Sequence, residues 1–240
     1  MKFGVIAPST NTSVQPEFDE MRPRGVTNHF ARIHIPDMSV DSDEDFENLV
    51  RAIEAAQELA IDRVMTCRPQ HLVMGMSAET FWDGMGGAEK LLVRMQERAG
   101  VKVTMGSHAC EAALKAIGGI KRIAVITPYM PVGDRNVVRY FSDVGYEVKR
   151  IKGFKCRSPV LIAHVTKEEL RDAILELDGD DIDAIVQVGT NLAMARISDQ
   201  AEFWINKPVI AINVATYWHA LRTNGIHDQL EGFGQLLANH

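Results

Sequence analysis

The sequence predicts an α/β protein of two pseudo-symmetric Rossmann-like halves, each a mainly parallel sheet with helices on its faces, and a small-molecule cleft between them. Three observations carry this reading. Short apolar runs of strand length alternate with helix-periodic segments along all 240 residues, the pattern of a parallel sheet covered on both sides. Most apolar runs stop at Pro, Gly or a cluster of Ser, Thr and Asn, the chemistry of a strand-to-helix turn. The chain also resembles itself: Gly4–Ser9 matches Ala124–Tyr129, Leu72–Ser77 matches Val186–Asn191, and Val103–Gly118 matches Ile210–Gly225, in the same order. Two copies exclude a solenoid, which needs more.

In chain order, Phe3–Ala7 is a buried strand ended by Pro8, and Arg32–Ile35 a second strand closed by Pro36. A helix starts at Ser42–Glu44, with acids in its first turn where the helix dipole favours them, and keeps apolar spacing at Phe46, Leu49, Val50, Ile53, Leu59 and Ile61. His71–Met76 is a strand, Trp82–Gly87 a turn, Ala88–Ala99 a helix, Val101–Met105 a strand and Ser107–Ile117 a helix stopped by Gly118-Gly119. The second half repeats the scheme: strand Ile123–Thr127, helix Asn136–Val144, strand Glu147–Gly153, helix Lys167–Leu177 behind Thr166, strands Ala184–Val188 and Val209–Ile212, helix Ala215–Thr223.

Composition narrows the function. A hydrophobic content of 46% with 24% charged residues is that of a globular domain. The net charge of −6 carries no basic run to offset it, so nucleic acid and anionic membranes are not expected partners. No apolar run reaches the roughly 18 residues a membrane span needs. The three cysteines, Cys67, Cys110 and Cys156, are isolated, which points to a reducing, cytoplasmic compartment rather than a disulfide framework. No GxGxxG, GxxxxGK[ST] or HExxH spacing occurs, so neither a nucleotide cofactor nor a metal is expected.

Ligands of parallel sheets sit beyond the carboxyl ends of the strands. Four loops would line the cleft: Pro8–Asn11, Gly75–Thr80, Pro128–Val132 and Gly189–Asn191. Their Ser, Thr, Asn and Tyr side chains and turn N–H groups suit a small carboxylate. Ser9, Thr10 and Asn11 are carboxylate ligands or a helix N-cap. Thr190 and Asn191 donate hydrogen bonds but cannot act as a base near neutral pH. Glu79 is a general base if burial desolvates it, and an ordinary first-turn helix acid if not. His108 starts a helix that could face the cleft, and Cys156 is the cysteine with a route to it.

These loops resemble a known group. Pro8-Ser9-Thr10-Asn11 resembles the Pro-Ser-Ser-Asn loop of maleate isomerase, and Thr127-Pro128-Tyr129-Met130 is similar to that branch's Thr-Pro-Tyr-Met segment. Gly75-Met76-Ser77 resembles the arylmalonate decarboxylase segment that builds an oxyanion pocket. The chain is thus similar to the arylmalonate decarboxylase and maleate cis-trans isomerase branch of the aspartate/glutamate racemase superfamily. The resemblance implies halves of 1–115 plus 217–240 and 116–216, a homo-oligomer, and no cofactor. It implies carboxylate contacts from Asn11 and Tyr129, and an oxyanion pocket from Ser77 and Tyr129. The superfamily's two cysteine positions align with Gly75 and Gly189, and neither carries a thiol.

The expected function is an enzyme that holds a small mono- or dicarboxylic acid and stabilises an enediolate or carbanion. Ser77, Tyr129 and Glu79 would be catalytic. Ser9, Thr10, Asn11, Gly75, Met76, Met130, Gly189, Thr190 and Asn191 would bind substrate. Decarboxylation or lysis fits the missing thiols better than isomerisation. The alternatives are a carboxylate sensor without chemistry and a hydrolase using a cleft water with Glu79 as base.

Overall fold

The computed structural model describes residues 1–240 as two four-stranded, all-parallel sheets. The first half carries β1 (Lys2–Pro8), α1 (Val14–Glu20), β2 (Thr27–Ile33), α2 (Asp43–Met65), β3 (His71–Met74), a 3₁₀ turn at Ala78–Phe81, α3 (Gly84–Ala99), β4 (Lys102–Thr104) and α4 (Gly106–Ile117). The second carries β5 (Arg122–Thr127), α5 (Pro131–Asp143), β6 (Glu147–Gly153), a 3₁₀ turn at Leu161–His164, α6 (Lys167–Leu177), β7 (Ala184–Gln187), α7 (Ala195–Ile205) and β8 (Val209–Ala211). The chain then continues as α8 (Ile212–Thr223), which packs on α4 and β3 of the first half, and α9 (Gln235–Asn239). The sheet orders are β2-β1-β3-β4 and β6-β5-β7-β8, so each strand has a counterpart at the same place in the other half.

The central strands are buried because their apolar runs are covered on both faces; Phe3, Val5, Ile6, Ile123, Val125 and Ile126 are fully enclosed. α2 starts where the sequence puts it: the Ser42 side chain accepts from the Asp45 N–H, and Asp43, Glu44 and Asp45 fill the first turn. Its buried face, Phe46, Leu49, Val50 and Ile53, runs from the cleft down the first half. A capping box between Thr166 and Glu169 fixes the start of α6. No helix is long and apolar enough to cross a membrane.

Four local expectations change. The helix expected at Asn136–Val144 runs over Pro131–Asp143 and so starts inside the expected Pro128–Val132 loop, because Pro131 is pre-set for a first helical turn. β2 runs over Thr27–Ile33, not Arg32–Ile35, because an edge strand pairs on one side only and keeps polar residues on the other. The Trp82–Gly87 turn is shorter, since α3 already begins at Gly84. α1 and α7 were not foreseen: α1 has only seven residues and holds Pro16, and α7 buries mostly small or polar residues, Ala195, Ser198 and Ala201.

The halves are joined by packing behind the cleft. Phe81, fully buried after β3, stacks edge-on against Tyr140 of α5 with ring centroids 5.1 Å apart. Phe46 of α2 lies 5.1 Å from the ring of Tyr129, which follows β5. The N-terminal acid of α2 ties to α5 as well: Asp43 accepts the Val132 N–H at 2.8 Å. Replacing Phe81 by Ala removes the joint and opens a cavity; chemical denaturation is expected to show a loss of about 3–5 kcal/mol.

Candidate active site

The carboxyl ends of the strands from both halves meet at one hydroxyl network. Ser77 follows β3, Tyr129 follows β5 and Thr190 follows β7. The Ser77 and Tyr129 hydroxyls are 2.7 Å apart, and the Thr190 N–H donates to Ser77 Oγ at 3.2 Å. The two hydroxyls own two hydrogens, and the bond between them uses one. One O–H is therefore left to donate to a ligand, whichever way that bond points. Burial pushes the Tyr129 phenol well above its usual range, so it stays protonated and a donor.

Around this pair the polar side chains are largely committed to each other. Asn11 Oδ1 accepts from the N–H groups of both Ser13, the α1 N-cap, and Val14, its first residue, at 3.0 Å, bracing the turn into α1 from outside the cap, while its Nδ2 donates to Thr190 Oγ1 at 3.1 Å. Carboxylate ligand and turn brace are thus compatible roles for Asn11: one amide hydrogen remains. Thr190 Oγ1 donates to the Gly75 carbonyl at 3.3 Å. Asn191 is a strut. Its Oδ1 takes the Thr12 N–H at 2.9 Å, and its Nδ2 donates to the carbonyls of Pro159 at 3.0 Å and Thr10 at 3.4 Å.

Strand register alters one equivalence drawn from the sequence. Ile6 pairs with Met74 and Ile126 with Gln187, so the level of Gly75 in the first half is that of Val188 in the second, and Ser77 is the counterpart of Thr190. The internal match is displaced by one residue there. Short apolar runs align equally well one residue apart, whereas backbone pairing does not.

The cavity at these strand ends encloses about 460 Å³ between atoms, part of it open to solvent. Thr10, Asn11, Ser77, Glu79, Tyr129, Gly189, Thr190 and Asn191 line it. Four expected ligands do not. Ser9 is exposed and clips the chain to Ile35, donating to its carbonyl and accepting its N–H, both at 3.1 Å. Gly75 contributes a carbonyl to Thr190, and Met76 and Met130 are packed into the core. His108 sits 3.1 Å from Glu89, away from the cavity. None of the cysteines lines it: Cys110 is enclosed in α4, Cys67 faces the Val64 carbonyl at 3.1 Å, and burial raises the Cys156 thiol to about 11.

Side chains that the motifs did not single out build the rest. Phe46, Leu49 and Ile53 of α2 form one apolar wall, and Ile35, Pro159 and Ile162 close it. The signal was the apolar face of α2, which reads only as core. No Lys or Arg lines the cavity. Glu79 is 3% exposed, and neither carboxyl oxygen has a hydrogen-bond partner. Burial raises its pKa from 4.5 to about 7, with a smaller push from the charge of Glu54. Asp134 is raised to about 6 by burial. It accepts from the Thr127 hydroxyl, which takes the Tyr129 N–H at 3.1 Å and so holds the Tyr129 turn. Glu17 is raised to about 7 by burial; it accepts from the Ala195 N–H at 3.0 Å and from Asn213 Nδ2 at 2.6 Å, and Asn213 reaches the Thr190 carbonyl at 2.9 Å.

Glycines shape the two mouths. At Gly189, φ is +107°, and a Cβ would lie 2.4 Å from Pro128 Cδ. A Cβ at Gly75 would meet Val14 Cγ1 at 2.8 Å and the Ile6 carbonyl oxygen at 3.1 Å.

Two four-stranded parallel sheets with neutral hydrogen-bond donors at their joined strand ends define an α/β protein with a polar cavity between its halves. The model of the arylmalonate decarboxylase family matches residues 3–237, and the chain belongs to that family. It is 24% identical over 250 residues to a maleate isomerase of Alcaligenes faecalis, covering 99% of this chain and 96% of that one. Its fold is that of a maleate cis-trans isomerase of Nocardia farcinica bearing a covalently bound succinylcysteine intermediate, with TM-score 0.89, 20% identity and 100% and 98% of the two chains covered. It is likewise that of an arylmalonate decarboxylase, with TM-score 0.79, 18% identity and 99% of each chain covered.

Two measurements test the site's physics. Between pH 4.5 and about 7 the unfolded chain has released the Glu79 proton that the folded one retains, so stability falls as pH rises through that window. Glu17 adds a fall of the same sign. In Glu79→Gln the drop in unfolding free energy between pH 5 and 8 is expected to shrink by about 3 kcal/mol. Gly189→Ala is expected to lower the melting temperature by several degrees, on the order of 1–3 kcal/mol, because it combines strain at positive φ with overlap on Pro128.

Proposed function

We infer that this enzyme is a cofactor-independent decarboxylase of a small malonate-type acid carrying one apolar substituent. What supports the reading most is the division of the cavity: one donor cluster, at Ser77 and Tyr129, faces an apolar wall from α2. A dicarboxylic acid would place one carboxylate on the hydroxyl pair and Asn11, and its substituent and second carboxylate toward that wall. A carboxylate set against that apolar wall without a cation partner is destabilised there, and its loss as CO₂ relieves this. The electron pair of the broken C–C bond passes to the α-carbon and onto the retained carboxylate as an enediolate. The free hydroxyl hydrogen strengthens its bond as charge grows on that oxygen. Glu79, whose carboxyl burial raises to about 7, gives its proton to the α-carbon from its acid form and is left as a carboxylate.

Isomerisation of maleate is the weaker reading. The Nocardia isomerase holds its intermediate on a cysteine, and none of the three cysteines here lines the cavity.

The test is a panel of aryl- and alkyl-malonates, maleate and succinate, first as stabilising ligands and then followed by NMR in D₂O. A substituted malonate is expected to lose CO₂ and gain one deuterium at the α-carbon. Ser77→Ala and Tyr129→Phe are each expected to lower kcat/KM by about 10²–10³. Conversion of maleate to fumarate would replace this reading by isomerisation. Binding without turnover would make the protein a carboxylate sensor.

A further inference from the structure

A second pocket lies behind Glu79, and Glu79 is the one residue that lines both. This outer pocket encloses about 600 Å³ open to solvent. It is the chemical opposite of the inner one. Its walls carry Glu54 from α2 and Lys90 and Arg94 from α3, with Trp82, Asp83 and Leu91 completing it. Glu54 and Trp82 also line a shallow surface depression beside it, so the pocket continues outward past them. Neither Lys90 nor Arg94 belongs to a salt bridge.

The buried carboxyl between the two pockets has no side-chain partner on either oxygen, and it is the one buried acid in that state; the other buried side chain with both polar atoms unpartnered is the Gln57 amide of α2, which does not titrate. A side chain kept for structure alone would be paired, because an unpaired buried polar group costs stability. On the inner side the apolar wall from α2 carries no titratable group, and burial keeps the Tyr129 phenol protonated, so it does not supply protons near neutral pH.

We propose that the outer pocket is the proton port of the site: Glu79 forms the partition between substrate cavity and solvent, and Glu54 stands at the port's inner mouth. This rests on Glu79 being the proton carrier. In each turnover the Glu79 O–H bond breaks and its proton goes to the α-carbon. A proton from water in the outer pocket then restores the acid, and the hydroxide left behind is neutralised by bulk buffer. The charged residues that line the outer pocket with Glu79 are Glu54 on α2, Lys90 and Arg94 on α3, and Asp83 before α3, and the Glu54 charge pushes the Glu79 carboxyl up; on the inner side Tyr129 is neutral.

The experiment is an infrared pH titration of the full-length protein. The carbonyl stretch of protonated Glu79 is assigned by its loss in Glu79→Gln. Removing a like charge with Glu54→Gln is expected to lower the midpoint by about half a pH unit, and Lys90→Met with Arg94→Met to raise it by about as much. Midpoints unchanged in both would overturn the port, because Glu79 would then be screened from that pocket. For an acid the protein turns over, Glu54→Leu is expected to lower kcat about tenfold with KM unchanged, and imidazole buffer to restore it. A kcat unaffected by Glu54→Leu also overturns the port while leaving Glu79 as carrier. Full activity of Glu79→Gln would instead remove the carrier itself.

Discussion

The hydrogen bond between Ser77 and Tyr129 is the constraint on which the site depends. Its two hydroxyls come from different halves of the chain, and the Thr190 N–H that points at Ser77 comes from a third loop. The bond therefore exists only when the sheets, the Phe81–Tyr140 joint and the turn at Gly189 are all in place. In return, the halves gain a buried contact whose polar groups are matched except for one hydroxyl O–H, one Asn11 amide hydrogen and Asn213 Oδ1. A network satisfied to that degree specifies one relative placement of its parts, because any slip leaves donors unpaired in a low-dielectric setting.

Most of the architecture was legible in the chain because its repeat is a physical one. Two sheets of the same strand order need the same sequence of apolar run, turn and helix, and Ile6 and Ile126 occupy equivalent central positions for that reason. The loops Pro8–Asn11, Gly75–Thr80, Pro128–Val132 and Gly189–Asn191 were found because small polar residues after a buried strand have few other uses. What stayed hidden depends on distance in space. Nothing in the local sequence says that Asn191 spends its amide on Pro159 and Thr10, or that Ser9 turns back to Ile35. The wall from Phe46 to Ile53 reads as core because a helix face toward a cavity and one toward a sheet have the same periodicity.

Charge in the site follows from the same economy. The cavity holds no cation, so a carboxylate there is met by dipoles alone, and its ionised form is held less firmly than beside an Arg. Glu79, Glu17 and Asp134 are raised by the same cause, desolvation, yet they differ in their neighbours. Glu17 is tied to Ala195 and Asn213, and Asp134 to Thr127. Those two acids hold backbone turns in position, while Glu79 alone is left unattached.

The two glycines at the cleft mouths are not equivalent as starting points for change. At Gly75 a Cβ would press on the Val14 side chain, the Ile6 carbonyl oxygen and Ala7 Cβ, so a smaller residue at position 14 removes the closest of the three contacts and leaves shifts of a few tenths of an ångström to the other two. At Gly189 the obstacle is the Pro128 ring, and the main chain itself is left-handed. A reactive group can thus be grafted onto one wall of this cleft by paired substitutions, but onto the other only by re-laying the β7–α7 loop. Mutational routes from this scaffold to chemistry with one new side chain are short, and routes to chemistry that needs two opposed ones run through loop exchange.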